Sequence, residues 1–289
     1  MNDFLLSVLL GIIEGVTEFL PISSTAHLRI SEALLHIDLH DTYWKMYTIV
    51  IQLGAILALP VYFRQRIVDF LATFPRGERG DRNIFTHPLG LTMVAFVVTA
   101  GPAYLLKKQI GANLESLKVM AWALIIGGVV MWIVDEFCRH PSINRLEEMN
   151  LPRAVWIGAV QILSAVFPGT SRSMSTIAAG QLVGLSRAAA LEFSFFLAIP
   201  TMVVATGYDL LKTLRPHSQD AADAALAPLS MNAHSWIILA IGLIVSFIVA
   251  LAVVAWFMHW VRAHGFALFA IYRIAAGALL FYLIARGLQ

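Results

Sequence analysis

The chain has 289 residues, of which 59% are hydrophobic and 13% charged, and its mean hydropathy is +0.76. A soluble fold of this length has too little interior for that much apolar surface, so the composition excludes a soluble domain and predicts an all-α integral membrane protein. The formal net charge of +2 gives no reason to expect a nucleic-acid partner, and the single cysteine, Cys138, excludes an internal disulfide.

The apolar runs of the chain predict a series of helical segments of two lengths. In chain order they lie near 4–20, 22–36, 43–63, 89–106, 117–134, 152–167, 172–185, 188–211, 235–258 and 266–286. The third to fifth and the last three are long enough for full transmembrane helices. The other four are shorter and form two pairs, each interrupted by a proline and a cluster of hydroxyls. These pairs predict two re-entrant helical hairpins, buried in the protein or lining a wet cavity.

The first pair contains the motif EGVTEFLPISSTAH, which runs from Glu14 to His27. An ionisable group inside a bilayer costs roughly 2.5–3.5 kcal/mol on insertion scales, so glutamates in this apolar run indicate a chemical role. Glu14 and Glu18 are four residues apart and share one side of a helix, which Pro21 should end. A serine after the proline can cap a second helix, on which Ser24 and His27 share a face.

The two short pairs resemble each other when Pro21 is set over Pro168. This alignment places Gln161 at the position of Glu14 and Arg172 at the position of Thr25. Three full spans follow each pair, so the second copy should begin on the opposite face of the membrane. The sequence therefore predicts one membrane domain, 1–289, built from a first repeat, 1–134, and a second, inverted repeat, 152–286.

The same topology assigns the loops to two sides of the membrane. The side opposite both termini carries more lysine and arginine residues, which favours it as the cytoplasmic side. Both termini and the mouth of the first hairpin are then expected on the outer side.

The second hairpin carries the motif PGTSRSMST, from Pro168 to Thr176. Gly169 permits close backbone approach, free N–H groups at a helix start accept an anion, and Arg172 can hold a phosphate with two parallel hydrogen bonds. Alone, this stretch could equally be a polar turn before a capped helix. Opposite a tip with two glutamates and a histidine, it favours a phosphate site.

Phosphoryl transfer needs an activated nucleophile and groups that neutralise the phosphate oxygens. Ser24 beside His27 is a nucleophile with an adjacent base. Glu14 and Glu18 could orient that histidine, or could hold Mg²⁺ or Ca²⁺ together with substrate oxygens. The residues leave open a phosphoenzyme on Ser24, direct attack by His27, and attack by water that the carboxylates activate.

Both motifs resemble the signature regions of the undecaprenyl-pyrophosphate phosphatase family, the BacA-type bacitracin-resistance proteins. The stretches IQLGAILA, FSFFLAIP and FAIYRIAAG fit as well, and the match covers nearly the whole chain. The resemblance implies hydrolysis of undecaprenyl (C55 polyprenyl) diphosphate to undecaprenyl phosphate and inorganic phosphate. That reaction recycles the lipid carrier for cell-wall synthesis and confers bacitracin resistance. It implies a multi-pass protein of the bacterial inner membrane, with its active site opening to the outer, periplasmic side.

By this resemblance the functional glutamates fall on Glu14 and Glu18, and the histidine on His27. Ser24 is then the expected catalytic serine. The candidate phosphate-binding residues are Arg172, Ser171, Ser173, Thr25, Ser23, Gly169 and Thr170. The resemblance also implies dependence on a divalent cation, whereas no organic cofactor is expected; whether the chain forms an oligomer stays open.

A secondary transporter or a lipid flippase or scramblase is the alternative, because inverted repeats with broken helices are also a transporter architecture. A carrier needs only a reversible anion site, for which Arg172 and helix ends suffice. It has no use for a nucleophile with a base, or for carboxylates whose negative charge would weaken anion binding. An intramembrane protease is not favoured, since the full spans lack a suitable Ser-His or Asp-Asp pair.

Three further polar residues lie in apolar runs. Gln52 and Gln161 are expected to form helix–helix hydrogen bonds rather than to bind a ligand. Arg273 lies inside the last span and is expected either to reach the interface or, preferably, to pair with a buried carboxylate.

Overall fold

The computed structural model of the chain describes residues 2–35, 37, 42–113, 116–214 and 231–287. Regular structure within these ranges is helical. The α-helices there are α1 (Asp3–Thr17), α2 (Ser24–Leu34), α3 (Thr42–Tyr62), α4 (Arg64–Thr73), α5 (Pro88–Leu105), α6 (Lys107–Asn113), α7 (Leu117–Phe137), α8 (Leu151–Val166), α9 (Arg172–Leu182), α10 (Arg187–Leu214), α11 (Ala233–Ala263) and α12 (Ala267–Ala285).

Six of these helices are long and apolar enough to cross a membrane: α3, α5, α7, α10, α11 and α12. They coincide with the six predicted spans, so the prediction of an all-α membrane protein is confirmed. The short helices α1, α2, α8 and α9 match the remaining predicted segments to within a few residues. Helices α4 and α6 were not predicted, because neither lies within a long apolar run of the sequence. That the short pairs re-enter on one side stays a prediction.

Local sequence explains where the paired short helices begin and end. Asn2 caps α1 by accepting a hydrogen bond from the Phe4 N–H at 3.1 Å, and Asn150 caps α8 in the same way. Helix α1 ends at Thr17, shortly before Pro21, and α8 ends at Val166, shortly before Pro168. A proline ring cannot continue a helix. Each short pair is therefore broken where the sequence places its polar cluster.

The first helix of each short pair packs along a long helix from the other half of the chain: α1 along α11, and α8 along α5. Glycine permits this close approach. A β-carbon on Gly15 would lie 2.8 Å from the Ser246 carbonyl oxygen, and one on Gly158 would lie 2.4 Å from that of Ala95. Small residues at a helix contact are typical of membrane proteins. This packing of each half against the other agrees with a division into two repeats. The boundaries of the repeats and their inverted orientation stay predictions.

Candidate active site

The turns that join α1 to α2 and α8 to α9 line one cavity from facing sides; we call 18–23 the first tip and 167–171 the second tip. Each ends in a serine that caps the following helix. Ser23 accepts a hydrogen bond from the Ala26 N–H at 3.4 Å, and Ser171 accepts one from the Met174 N–H at 3.3 Å. The prediction that a serine caps α2 is therefore confirmed, with Ser23 as the cap.

The two cap serines share an unusual backbone conformation. Ser23 has a φ of 74° and Ser171 a φ of 70°, and among the described residues only these two residues other than glycine have a positive φ. Such a conformation costs about 1–3 kcal/mol for a residue with a β-carbon, and it is found mainly at functional sites. This conformation turns the chain sharply at each cap. The first N–H groups of α2 and α9, which have no acceptor within their own helix, are then available to a ligand.

These caps correct the predicted alignment of the two halves. Ser23 corresponds to Ser171, so Arg172 occupies the position of Ser24 and not, as predicted, that of Thr25. The alignment on the prolines was wrong by one residue, because the second tip has one more residue between its proline and its cap.

Buried contacts fix the position of the first tip. Phe19 is fully buried and lies edge-to-face against Phe195 of α10, with 5.4 Å between the ring centroids. The Leu20 carbonyl accepts a hydrogen bond from the Ser173 hydroxyl at 3.0 Å. Ser173 therefore ties α9 to the first tip. The predicted phosphate ligand Ser173 lies behind the site and not among the residues that line the cavity.

A glycine is required in the second tip. Gly169 has a φ of 93°, and a β-carbon there would lie 2.7 Å from the Met120 carbonyl oxygen. The next residue, Thr170, donates its N–H to the Phe167 carbonyl at 3.1 Å and does not line the cavity. Gly169 is thus required for a close approach to the backbone of α7, and its predicted approach to a phosphate stays a prediction. Thr170 supports the turn.

A cavity of about 190 Å³ lies between the tips. The sequence-predicted residues that line it are Glu18, Ser23, Ser24, Thr25, Gly169, Ser171 and Arg172. Polar, uncharged side chains line it as well, among them Gln52, Thr99 and Thr201. Two helix N-termini, hydroxyls, one guanidinium and one carboxylate therefore line the same cavity.

One carboxylate connects the two tips across this cavity. Ser24 donates its hydroxyl hydrogen to Oε2 of Glu18 at 2.5 Å. Arg172 donates from Nη2 to the other oxygen of Glu18 at 3.3 Å, and from Nη1 to the Ser194 carbonyl at 3.3 Å. Both side chains of the ion pair are nearly buried. The hydroxyl of Ser24 thus has a carboxylate acceptor, and that acceptor is Glu18.

His27 does not face Ser24. Its Nδ1 lies 2.7 Å from the Ser23 carbonyl oxygen, and its Nε2 lies 2.6 Å from the hydroxyl of Tyr272, whose ring is stacked on the imidazole. A carbonyl oxygen can only accept, so Nδ1 carries the proton, and in the neutral ring Nε2 accepts from Tyr272. The predicted pairing of Ser24 with His27 is wrong, because both imidazole nitrogens bind other groups.

Glu14 lies one helical turn behind Glu18 and is fully buried. Neither of its carboxylate oxygens has a hydrogen-bond partner among the described residues. No group of three or more histidine, cysteine or acidic side chains placed to hold a metal occurs in the described part of the chain. Two carboxylates with free lone pairs, completed by phosphate oxygens of a substrate, still fit the oxygen ligation of Mg²⁺ or Ca²⁺.

Gln161 forms the predicted helix–helix hydrogen bonds. Its Nε2 donates to the hydroxyl of Thr99 on α5 at 3.1 Å and to that of Thr201 on α10 at 3.2 Å, and the side chain lines the cavity as well. The two threonines were missed by sequence reasoning. An isolated threonine in an apolar helix carries no signal of its own.

Arg273 contradicts both predictions made for it. The side chain is fully buried, and within the described residues none of its hydrogen bonds goes to a carboxylate. It donates instead to the backbone carbonyls of Pro21, Ala123 and Gly169, at 2.9–3.0 Å. The available signal was an arginine inside an apolar span; its partners could not be inferred from that.

Together the helices and the cavity define a multi-pass, all-α membrane protein with a buried polar site between two helix N-termini. A family model described as Bacitracin resistance protein BacA matches residues 7–279. An undecaprenyl-diphosphatase of Koribacter versatilis (strain Ellin345) is 65% identical over 278 residues, 96% of either chain. Another from Caldanaerobacter subterraneus subsp. tengcongensis is 40% identical over 99% of this chain and 98% of its own. The chain belongs to the BacA family of bacitracin resistance proteins.

Proposed function

We propose that this protein is a phosphatase that hydrolyses undecaprenyl diphosphate to undecaprenyl phosphate and inorganic phosphate. The observation that carries the proposal is the contact of Ser24 with Glu18, at 2.5 Å, in a cavity that Arg172 enters from the facing tip. The relatives named undecaprenyl-diphosphatase support this choice of substrate. In a bacterium the reaction would return the lipid carrier to cell-wall synthesis and confer resistance to bacitracin.

The diphosphate is held between the two helix N-termini. Free N–H groups of α2 and α9, with the hydroxyls of Ser23, Thr25 and Ser171, offer donors to its oxygens. On substrate binding the guanidinium of Arg172 moves its hydrogen bonds from Glu18 to the phosphate. Its two parallel N–H donors fit two phosphate oxygens as well as they fit the two oxygens of a carboxylate. Binding of substrate therefore frees the Glu18 carboxylate to act on Ser24.

In the first chemical step the Ser24 oxygen attacks the terminal phosphorus. A bond forms between Ser24 Oγ and phosphorus, and the bond from phosphorus to the bridging oxygen breaks, leaving its electron pair on undecaprenyl phosphate. Glu18 accepts the hydroxyl proton and passes it to the leaving phosphate. Positioned donors around the transferred group supply most of the acceleration in phosphoryl transfer.

In the second step water attacks the phosphoserine. Glu18 accepts a proton from the water and returns one to the Ser24 oxygen as the serine–phosphorus bond breaks, and inorganic phosphate leaves. His27 acts from outside the cavity by holding the Ser23 carbonyl. A divalent cation held by Glu14 and Glu18 would neutralise charge on the phosphate oxygens.

The carrier alternative does not account for the same contacts. A flippase or transporter would need the anion donors, but a serine hydrogen-bonded to a carboxylate beside bound phosphate would only weaken its binding. The nucleophile and base are the features that favour an enzyme.

The lipid setting defines substrate preference and sidedness. The prenyl tail stays among the membrane helices while the diphosphate reaches the tips, and we place the mouth of the site on the outer, periplasmic side. Single cysteines at Lys108 and Arg79, in a chain with Cys138→Ser, should then react with an impermeant thiol reagent from outside and inside, respectively. Labelling from one side for both would contradict the topology.

The direct test is phosphate release from undecaprenyl diphosphate by the purified protein in detergent, with and without Mg²⁺ or Ca²⁺. Long prenyl diphosphates should be hydrolysed far better than a soluble phosphomonoester. Equal rates on both substrates would contradict a lipid site, and movement of the lipid between leaflets without phosphate release would favour the carrier.

A further inference from the structure

Arg273 binds both tips and does not itself line the cavity between them. Its Nη1 donates to the Pro21 carbonyl of the first tip, and its Nη2 donates to the Gly169 carbonyl of the second, each at 3.0 Å. A third hydrogen bond, to Ala123 at 2.9 Å, ties the same guanidinium to α7. One side chain from α12 therefore binds both broken segments and a full span.

The two tip carbonyls occupy equivalent places. Pro21 and Gly169 each lie two residues before a cap serine, Ser23 or Ser171. Arg273 thus fixes the same point of both turns. Because the turns aim the N-termini of α2 and α9 into the cavity, the separation of these N-termini depends on this guanidinium.

The surrounding helix is shaped to admit the guanidinium. A β-carbon on Gly127 of α7 would lie only 2.3 Å from Nη2 of Arg273. In the described part of the chain this fully buried guanidinium has backbone carbonyls, and no carboxylate, as partners. It loses its hydration on burial, so its hydrogen bonds to the carbonyls must compensate. A plain apolar residue would avoid that cost, so the arrangement points to a requirement for several fixed donors at this place.

We infer that Arg273 is a positioning residue that sets the spacing of the two helix N-termini, so that together they accept both phosphate groups of a diphosphate. The inference rests on the proposed function for the identity of the ligand. Arg273 itself does not line the cavity and acts through the two carbonyls. Its loss should therefore impair recognition of two linked phosphates far more than recognition of one.

The test compares the binding of methylenediphosphonate and inorganic phosphate to the purified full-length protein in detergent, by calorimetry. A two-ended ligand gains affinity only while both ends can engage at once, so the ratio of the two affinities reports the spacing. In Arg273→Lys the charge stays, but one ammonium cannot reach three carbonyls in a fork geometry. The ratio should fall at least about tenfold, while phosphate affinity changes by less than about twofold.

A glycine pair supplies an independent route to the same displacement. Gly127→Ala leaves Arg273 in the sequence but pushes the guanidinium away, and it should lower the affinity ratio as Arg273→Lys does. Gly101→Ala on α5 is the matched control, since a β-carbon there meets nothing within 4 Å. Both changes place the better helix former in a helix, so loss of fold is not the expected effect.

An unchanged affinity ratio in folded Arg273→Lys or Gly127→Ala protein would overturn the inference, as would an equal fall in Gly101→Ala. A wild-type protein with no preference for the diphosphonate would overturn it too. A wild type that prefers the diphosphonate yet releases no phosphate from undecaprenyl diphosphate would contradict the proposed function alone.

Discussion

The two tips share a backbone conformation at the cap serine but present side chains of opposite charge to the cavity. Each ends in a cap serine with a left-handed φ, and each leads into a helix of eleven residues. The first tip, however, carries the carboxylate of Glu18 and places Ser24 at the first helical position. The second tip places Arg172 at that same position. The difference indicates that one turn, used twice, provides the shape of the site, and that the side chains divide the reaction into attack and phosphate binding.

The contacts between the tips follow this division. Glu18 binds Ser24 of its own tip and Arg172 of the other, so one ion pair joins the two halves across the cavity. A bound diphosphate would take over Arg172. Replacing side chains of one tip at a time tests whether the two tips have these separate roles.

The largest effect is expected from Ser24→Ala. Removal of a covalent nucleophile typically costs many orders of magnitude, so turnover should fall at least about 10³-fold. Binding of a lipid diphosphate should be kept, because the anion donors remain. Ser164→Ala is the matched control, since that hydroxyl lies at the cavity wall and donates to the Gln161 carbonyl. Turnover above about a tenth of wild type in Ser24→Ala would rule out the phosphoserine.

Glu18→Gln should have the next largest effect, with turnover reduced about 10²–10⁴-fold for want of a base. His27→Ala should cost less, on the order of tenfold, because His27 acts only through the Ser23 carbonyl. Turnover is measured against Mg²⁺ and Ca²⁺ concentration for both variants and for Glu14→Gln. A weakened cation response in the two glutamate variants, but not in His27→Ala, is the expected result.

The opposite order would reassign the base. If His27→Ala removed as much turnover as Ser24→Ala while Glu18→Gln remained active, the contact between Ser24 and Glu18 would have no part in catalysis.

Arg172→Lys tests the second tip. The charge is kept but the fork of two parallel donors is lost, so turnover should fall about 10²-fold and affinity for the lipid diphosphate should fall with it. Arg187→Lys is a suitable control, because Arg187 makes its ion pair with Asp135, away from the tips. Near-wild-type turnover in folded Arg172→Lys protein would remove this arginine from the phosphate site.

The smallest effect is expected at the cap serines and concerns stability. Ser171→Gly loses a cap, at a cost of a few tenths of a kcal/mol, but relieves a strained φ, so the unfolding free energy should change by less than about 1 kcal/mol. Ser171→Ala loses the cap and keeps the strain, and should cost about 0.5–2 kcal/mol. Unfolding in detergent compares the two. An alanine variant more stable than the glycine variant would contradict the strain at this turn.

Much of the fold could be predicted because membrane helices are defined by apolar length. The six spans and the four short helices follow from this rule. The break at Pro21 follows from the proline, which cannot continue a helix. Apolar length does not predict α4, because its charged residues give that stretch the composition of a surface loop. It also gives no register for the turns, so aligning the prolines misplaced Arg172 by one residue.

The site was predicted as a set of residues but not as a set of contacts. Spacing places Ser24 and His27 on one face of α2, yet it does not determine which way each side chain turns. Ser24 bonds to Glu18 and His27 to Tyr272, 245 residues further along the chain. Arg273 binds carbonyls, which every residue possesses, so no sequence signal identifies its partners.

The most direct test of the account is a structure with a methylene-bridged prenyl diphosphonate, which cannot be hydrolysed. The account predicts that the diphosphonate lies between the tips with Arg172 on its oxygens. Its terminal phosphorus should lie about 3–3.5 Å from Ser24 Oγ, the separation of groups ready to react. A terminal phosphorus closer to His27 than to Ser24, or a diphosphonate bound by one tip alone, would contradict the claim that the two tips form one site.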